Sequence, residues 1–111
     1  MNKISDFYCD EVFSGKTKVE VVTETKNILA FYHTKPYYPV HIIVTPKKHI
    51  SSILELDENN IALELIEILK SVADKINKKY GSCRIVTNLG GYQDSKHLHF
   101  HVIYGSHEDV K

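Results

Sequence analysis

The sequence predicts an α+β fold with a five-stranded antiparallel sheet, one long helix and one short helix. Residues 96–104 alternate polar and large apolar side chains, which is typical of a half-buried strand. Residues 61–80 repeat apolar side chains at intervals of three and four, which is typical of an amphipathic helix. Strands and helices do not alternate regularly along the chain, so mostly antiparallel pairing is expected.

The N-terminal half is predicted to form the short helix and three strands. The helix covers residues 7–14 and is stopped by Gly15. Apolar and β-branched runs separated by polar turns indicate the strands, and in the first of them Val19 and Val21 share one face. Pro46 ends the last of them. These strands are predicted at residues 18–24, 27–32 and 40–45.

The C-terminal half is predicted to form the long helix and two strands. Asp57 is the expected N-cap of the helix and Gly81 its stop. The strands cover residues 83–87 and 96–104, with a polar loop at 88–95 between them. The buried stripe of the helix comprises Ile61, Leu65, Ile68, Leu69, Val72, Ile76 and Tyr80.

Composition indicates one ordinary globular domain over residues 1–111, with 42% hydrophobic and 25% charged residues. Fourteen basic and fourteen acidic side chains give a net charge of zero, so no overall field favours nucleic acid or an anionic membrane. Neither is expected as a partner. The N-terminus lacks the apolar run of a signal peptide, and two distant cysteines do not suggest a disulfide framework. We therefore expect a reduced, cytoplasmic protein.

Three histidines stand at every second position near the C-terminus: His97, His99 and His101. On a strand they would share one face about 7 Å apart, while the intervening residues pack into the core. A ladder of about 13 Å does not readily close on one metal ion, so a nucleophile with supporting neighbours is the preferred interpretation. Metal binding and a purely structural role are the alternatives.

Several other residues could act together with the histidines of this strand. The loop glycines Gly90 and Gly91 allow backbone amides to approach an anion, although a loop with two glycines is commonly just a turn. His41 is either a core histidine or a relay to the triad, and His49 is expected to be solvated. The aromatic residues Phe7, Tyr8 and Phe31 suit either a flat ring or core packing.

The run His97-Leu98-His99-Phe100-His101-Val102-Ile103 resembles the signature of the histidine triad (HIT) nucleotide-binding family. The resemblance covers most of the chain. It extends to Phe7-Tyr8-Cys9, Leu29-Ala30-Phe31, residues 39–44 and 46–50, Arg84-Ile85-Val86 followed by Asn88, and Gln93 four residues before the triad.

The resemblance implies a homodimer whose sheets join into one of ten strands. It also implies binding of purine nucleotides and cleavage of phosphoramidate, acyl-nucleotide or dinucleoside polyphosphate bonds through a nucleotidylated histidine. By that resemblance His99 is the nucleophile, His101 touches the phosphate, and His97 and His41 orient the imidazoles. The implied nucleotide contacts are Phe7, Tyr8 and Phe31 at the base, Asn88 and Gln93 at the phosphate, and His33, Thr34, Tyr92, Asp94 and Phe100.

Physical chemistry supports the role of His99 independently. A histidine with a pKa near 6.5 is largely neutral at pH 7 and can attack phosphorus without a strong base. A hydrogen bond from its other ring nitrogen to a backbone carbonyl would fix the tautomer. Imidazoles and backbone amides would stabilise the developing charge, so no metal is required.

The sequence departs from the family pattern at three places. His33 stands where many members carry an acidic residue that holds the ribose hydroxyls, and a neutral imidazole accepts at most one of them. Asp94 stands where a hydroxyl residue is usual near the scissile bond. Some bacterial relatives bind zinc through two cysteines near the start, where this chain has Asp6 and Cys9. Zinc bound by Asp6, Cys9, His49 and one triad histidine is possible, and a buried free cysteine is the preferred interpretation.

Overall fold

The protein forms one five-stranded antiparallel sheet with a long helix packed on one face. The computed structural model describes residues 8–56 and 60–106, except the side chains of Asp10 and Glu11. The strand order is β1-β2-β3-β5-β4. The predicted fold class is therefore confirmed. The elements are β1 (Val21–Glu24), β2 (Ile28–Tyr32), β3 (Val40–Pro46), α1 (Asn60–Tyr80), β4 (Arg84–Val86) and β5 (Phe100–Tyr104).

The sheet separates two groups of buried side chains because alternate residues of each strand point to opposite faces. On one face, Leu65 and Val72 of α1 pack against Ala30 and Val44 of the sheet in the larger core cluster. On the other face, a smaller cluster comprises Tyr8, Val12, Leu29, Phe31 and Ile43. The larger cluster contains most of the buried apolar side chains of the described residues. The face that carries the smaller cluster also holds buried polar groups, His41 and His99 among them.

The long helix follows the predicted stripe. Leu65, Leu69, Val72 and Ile76 are buried, whereas Tyr80 at its end is 39% exposed and stacks on Tyr104 with ring centroids 4.7 Å apart. Gly81 ends the helix with a φ of +90°, and its amide donates to the Asn77 carbonyl over 2.8 Å. The predicted N-cap, Asp57, lies outside the described residues.

The segment before β1 and the short helix differ from their predicted bounds. β1 begins at Val21 rather than residue 18, and a bulge between Val21 and Thr23 shifts its register against β2. Val21 is 48% exposed, but it pairs directly with Phe31, a member of the smaller cluster against which Val19 packs. Val19 and Val21 therefore lie on one face, as predicted. The short helix is a single π-helical turn, Tyr8–Val12, shorter than the predicted 7–14, whose first residue lies outside the described part.

Strand β5 begins at Phe100 rather than residue 96, so the prediction that all three histidines lie on a strand is wrong. β3 extends through Pro46, one residue beyond the predicted end. Pro46 has no N–H to offer a partner strand, and the pairing of β3 with β5 stops at Val44 opposite Phe100. The segment before Phe100 is held by other bonds, from the Thr45 hydroxyl to the Leu98 carbonyl (2.8 Å) and from the Leu98 amide to the Ile50 carbonyl (2.6 Å).

Strand β4 is one residue shorter at each end than predicted. A single 3-10 turn, Gly90–Tyr92, interrupts the predicted loop at 88–95, and a second one lies at Ile53–Glu55. Within the described residues, no helix combines the length and apolar character that a membrane span requires.

Candidate functional site

The histidines meet on the sheet face that is opposite the long helix. His41 and Ile43 on β3 alternate with Ile42 and Val44, which face α1, and His101 on β5 lies directly opposite Ile43. The ring centroids of His99 and His101 are 5.1 Å apart, and Tyr8 contacts both His97 (5.2 Å) and His99 (5.0 Å). The alternation therefore places the histidines together, although of His97, His99 and His101 only His101 is on a strand.

His99 has a fixed tautomer. Its Nδ1 lies 2.7 Å from the carbonyl oxygen of His97 and donates to it, because a carbonyl only accepts. In the neutral ring the lone pair is then on Nε2. The side chain is 7% exposed and lines a cleft, so Nε2 is the nitrogen whose lone pair can take part in chemistry there. This is the tautomer that the sequence analysis required of a nucleophile.

His41 and His101 form a directed pair. The backbone amide of Tyr37 donates to Nδ1 of His41 over 3.1 Å, so the His41 proton is on Nε2. That Nε2–H donates to Nδ1 of His101 over 2.8 Å, and the proton of a neutral His101 is therefore on its own Nε2. His41 thus orients His101 and leaves it an N–H donor directed away from the pair.

Burial keeps both of these rings neutral. The pKa of His41 is lowered to about 3, first by burial and then by His33 and His101. The pKa of His101 is lowered to about 4 by burial and then by His99 and His33, while Asp94 opposes the shift. At pH 7 His41 and His101 are therefore uncharged, and their proton positions follow from the hydrogen bonds.

His97 is completely buried, and contacts of both its ring nitrogens hold it in place. Its Nε2–H donates to the Pro46 carbonyl over 2.7 Å, and its Nδ1 lies 3.6 Å from Sγ of Cys9. The backbone carbonyl of His97 accepts the hydrogen bond from His99. These contacts are those of a residue that positions His99.

A cleft of about 370 Å³ opens over His99 and His101. Its volume lies in the range of small-molecule sites. The lining residues come from the N-terminal turn, β2 with its following loop, β3, and β5 with the segment before it. They are Tyr8, Phe31, His33, Thr34, Lys35, Tyr37, Ile43, Asp94, Ser95, His99 and His101.

Some predicted nucleotide contacts lie elsewhere. Gln93 is buried, and its side-chain Nε2 donates to the Ser51 carbonyl over 2.7 Å. The side chain of Phe100 packs in the larger core on the helix side of the sheet, so it points away from the site. Tyr92 is 85% exposed, and neither it nor the half-buried Asn88 is among the lining residues. Phe7 is outside the described residues.

Sequence reasoning missed four lining residues, Lys35, Tyr37, Ile43 and Ser95. Within the described part of the chain, Ser95 Oγ is the one buried side-chain oxygen or nitrogen without a hydrogen-bond partner. Lys35 is exposed at the rim. Nothing in the local pattern distinguishes these residues from ordinary loop residues, although Ser95 directly follows the singled-out Asp94.

A second group of potential ligands lies behind the triad. Cys9 Sγ, a ring nitrogen of His49 and Nδ1 of His97 come within 4.8 Å of one another, and Cys9 Sγ is 3.9 Å from His49 Nδ1. The bond from His97 Nε2–H to Pro46 directs Nδ1 toward this group, as outer hydrogen bonds do at metal sites. A thiolate with two imidazoles suits zinc, whereas Asp6, the predicted fourth ligand, is outside the described residues.

Comparison with known proteins gives a consistent result. The family model of the HIT domain matches residues 14–108. An uncharacterized HIT-like protein of Buchnera aphidicola is 30% identical over 99 residues, covering 86% of this chain and 88% of that protein. The structure of a HIT family hydrolase from Legionella pneumophila has a TM-score of 0.78 at 28% identity, covering 92% of this chain and 94% of that one.

A hypothetical histidine triad nucleotide-binding protein of Sulfolobus tokodaii is also similar in structure. It has a TM-score of 0.78 at 29% identity, covering 88% of this chain and 67% of that one. The family model alone spans well over half of the chain. With its fold and its histidine cluster, the chain therefore belongs to the HIT domain family.

Proposed function

We propose that this protein is a nucleotide-binding hydrolase or transferase that cleaves a phosphoramidate, acyl-nucleotide or related bond through a nucleotidyl-histidine. The observation that carries the proposal is the bond from Nδ1–H of His99 to the His97 carbonyl, which leaves the Nε2 lone pair at a cleft. The hydrolase from Legionella pneumophila supports an enzyme, and the name of the Sulfolobus tokodaii protein supports a nucleotide as ligand.

In the first chemical step, Nε2 of His99 attacks the α-phosphorus of the substrate. A P–Nε2 bond forms and the bond from phosphorus to the leaving amine or acyl oxygen breaks. The bond from Nδ1–H to the His97 carbonyl stabilises the positive charge that develops on the ring. Water then cleaves the P–Nε2 bond, which releases the nucleoside monophosphate and restores His99; another acceptor in place of water makes the reaction a transfer.

The neighbouring groups would stabilise negative charge on phosphorus. The Nε2–H of His101, directed by His41, is the donor for a non-bridging phosphoryl oxygen. Ser95 Oγ has no partner among the described residues and lines the cleft, so it is the candidate donor to the leaving group. Ser95 would then perform the role that the family resemblance gives to a hydroxyl residue at the position of Asp94.

The aromatic residues Tyr8 and Phe31 would flank a purine base. Both line the cleft, with ring centroids 6.3 Å apart. Phe31 is 1% exposed, so only a small part of its ring is open to the base and it forms the floor of this end. Contacts of the nucleotide with Phe7, Asn88, Tyr92 and Gln93 remain predictions from the family resemblance.

Two alternatives use the same cleft. Asp94 lines it, and a carboxylate beside a phosphate opposes binding of an anionic leaving group, which would favour a nucleotide-binding module with little catalysis. A dinucleoside polyphosphate hydrolase differs only in the leaving group. Isothermal titration with AMP, combined with turnover of all three substrate classes, distinguishes these possibilities.

We further propose a cytoplasmic homodimer that acts without nucleic acid or membrane. The zero net charge supports the absence of a polyanionic partner, and the two free cysteines, Cys9 and Cys83, suit a reduced compartment. Zinc is not required for the proposed chemistry. If bound at Cys9, His49 and His97, it would fix the backbone that supports His99 and would leave the attacking nitrogen unchanged.

Replacement of the nucleophile tests the proposal. We expect His99→Ala, His99→Asn and His99→Gly to reduce turnover of adenosine phosphoramidate about a thousandfold or more, because the attacking nitrogen is lost. Wild-type turnover should be the same with and without EDTA. Lys70→Ala, on the exposed face of α1, is the matched control. Retained turnover in the folded His99 variants would refute the proposal.

A further inference from the structure

The end of the cleft formed by the loop after β2 offers hydrogen-bond donors and a positive charge. His33, Thr34 and Lys35 follow one another in this loop and all line the cleft. Phe31 and His33 are two residues apart on one face of the same extended segment, about 7 Å from each other. His33 also lies beside the catalytic group, with ring centroids 4.3 Å from His41 and 6.4 Å from His101.

The proton of His33 is placed by its own loop. The backbone amide of Lys35 donates to Nδ1 of His33 over 2.9 Å, so the neutral ring carries its proton on Nε2. Burial and the neighbouring His99 lower the pKa of His33, which favours this neutral form in the empty cleft. His33 therefore offers one N–H donor and no remaining acceptor.

Such a loop does not suit a free ribose diol. Two vicinal hydroxyls bind best to a carboxylate, which accepts from both. Of His33, Thr34 and Lys35, only Thr34 has a side-chain acceptor, and the Lys35 ammonium is a donor. Among the described residues that line the cleft, Asp94 is the only carboxylate, and its charge opposes the lowering of the His101 pKa. This interaction with His101 places Asp94 toward the phosphorus end of the cleft.

We infer that the loop of His33, Thr34 and Lys35 binds a second phosphoryl group, carried on the 2′ or 3′ oxygen of the substrate ribose. The inference rests on the proposed function, in which the base lies against Phe31 and the α-phosphorus at His99. A nucleotide in that position brings its sugar to His33. Charge-assisted bonds from Lys35 and from His33 Nε2–H would hold the phosphoryl oxygens, and Thr34 would add a hydroxyl donor.

Isothermal titration with three nucleotides tests this inference: AMP, adenosine 2′,5′-bisphosphate and adenosine 3′,5′-bisphosphate. We expect one bisphosphate to bind the wild-type protein about tenfold more tightly than AMP, as one charge-assisted contact provides. Lys35→Ala should remove most of this preference, measured as the ratio of the bisphosphate and AMP affinities of the same variant. His33→Asp, which supplies a carboxylate, should reverse the preference toward AMP.

Lys70→Ala removes the same charge from the exposed helix face and should keep the wild-type preference. AMP binding as tight as that of both bisphosphates would overturn this inference and leave the proposed function standing. A bisphosphate preference that survives both Lys35→Ala and His33→Asp would also overturn it. No binding of any of the three nucleotides would overturn the proposed function and this inference together.

Discussion

At the scale of single residues, backbone atoms fix the tautomers of two site histidines. The His97 carbonyl fixes the proton of His99 on Nδ1, and the Tyr37 amide fixes that of His41 on Nε2. Residue types and spacing predict that these histidines meet. They do not specify which nitrogen carries the proton, because that depends on backbone atoms placed by loops and not by strand alternation.

The same reasoning explains the lining residues that the sequence pattern missed. The side-chain Nε2 of Gln93, for example, donates to the Ser51 carbonyl 42 positions earlier in the chain, a contact that no local pattern indicates. Ser95 and Lys35 carry no periodic signal, since both stand in loops whose direction depends on distant contacts. A local pattern therefore identifies the triad and His41, while the donors around them emerge only from the folded chain.

Replacement of Ser95 tests the assignment of the leaving-group donor. We expect Ser95→Ala to lower kcat for a phosphoramidate about a hundredfold, because an amine leaves poorly without a proton donor. An acyl-nucleotide, whose carboxylate leaves without one, should be much less affected. Steady-state kinetics with both substrates measures the difference. An equal loss with both substrates would contradict the assignment.

At the scale of elements, strand positions were predicted well and strand ends were not. The apolar runs locate all five strands, but the ends depend on partners. Pro46 is the clearest case, because its missing N–H stops the β3–β5 ladder and leaves His97 and His99 outside the strand. The bulge between Val21 and Thr23 has no local sequence signal, and it shifts the register of β1 against β2.

The two edge strands differ in a way that bears on the proposed dimer. β1 carries a bulge and an ion pair between Glu24 and Lys47, features that protect an edge from pairing. β4 pairs only with β5, has no such bulge in its register, and exposes 49% of Ile85. The edge at β4 is therefore the one suited to join a second copy into a ten-stranded sheet.

Substitution on each edge tests this assignment. We expect Ile85→Arg to convert the dimer to a monomer, because it places a charge where apolar contact would form. Val21→Arg, at a similarly exposed position on β1, should leave the dimer intact. Light scattering after size exclusion gives the molar mass of each. A monomeric wild-type protein, or a dimer in Ile85→Arg, would contradict the assignment.

At the scale of the whole molecule, the two faces of the sheet have different roles, one in stability and the other in the proposed chemistry. The helix side holds the larger apolar core, and the opposite side buries His41, His97 and His99 beside a smaller apolar cluster. Burial of neutral histidines links folding to pH. The pKa values of about 3 for His41 and about 4 for His101 lie below the usual 6.5, so the unfolded chain binds protons that the folded protein does not.

The contribution of these two histidines to the free energy of unfolding should therefore be fully present above about pH 6.5 and should decline as the pH falls toward 4. We expect the urea midpoint of unfolding to decrease from pH 7 to pH 5. His41→Asn lowers stability at every pH, but it should make this decrease shallower, because one of the titrating groups is gone. Equilibrium unfolding of both proteins across this range provides the test, and parallel curves would contradict the stated cause.

The central claim, covalent catalysis by His99, is tested most directly by trapping the intermediate. The wild-type protein is mixed with adenosine phosphoramidate, quenched in alkali within the first turnover, and mapped by peptide mass spectrometry. We predict the mass of one adenylyl group on the peptide that contains His99, with fragments that assign it to that residue, and no adduct in His99→Asn. Rapid product formation without an adduct, or an adduct on another residue, would contradict the account.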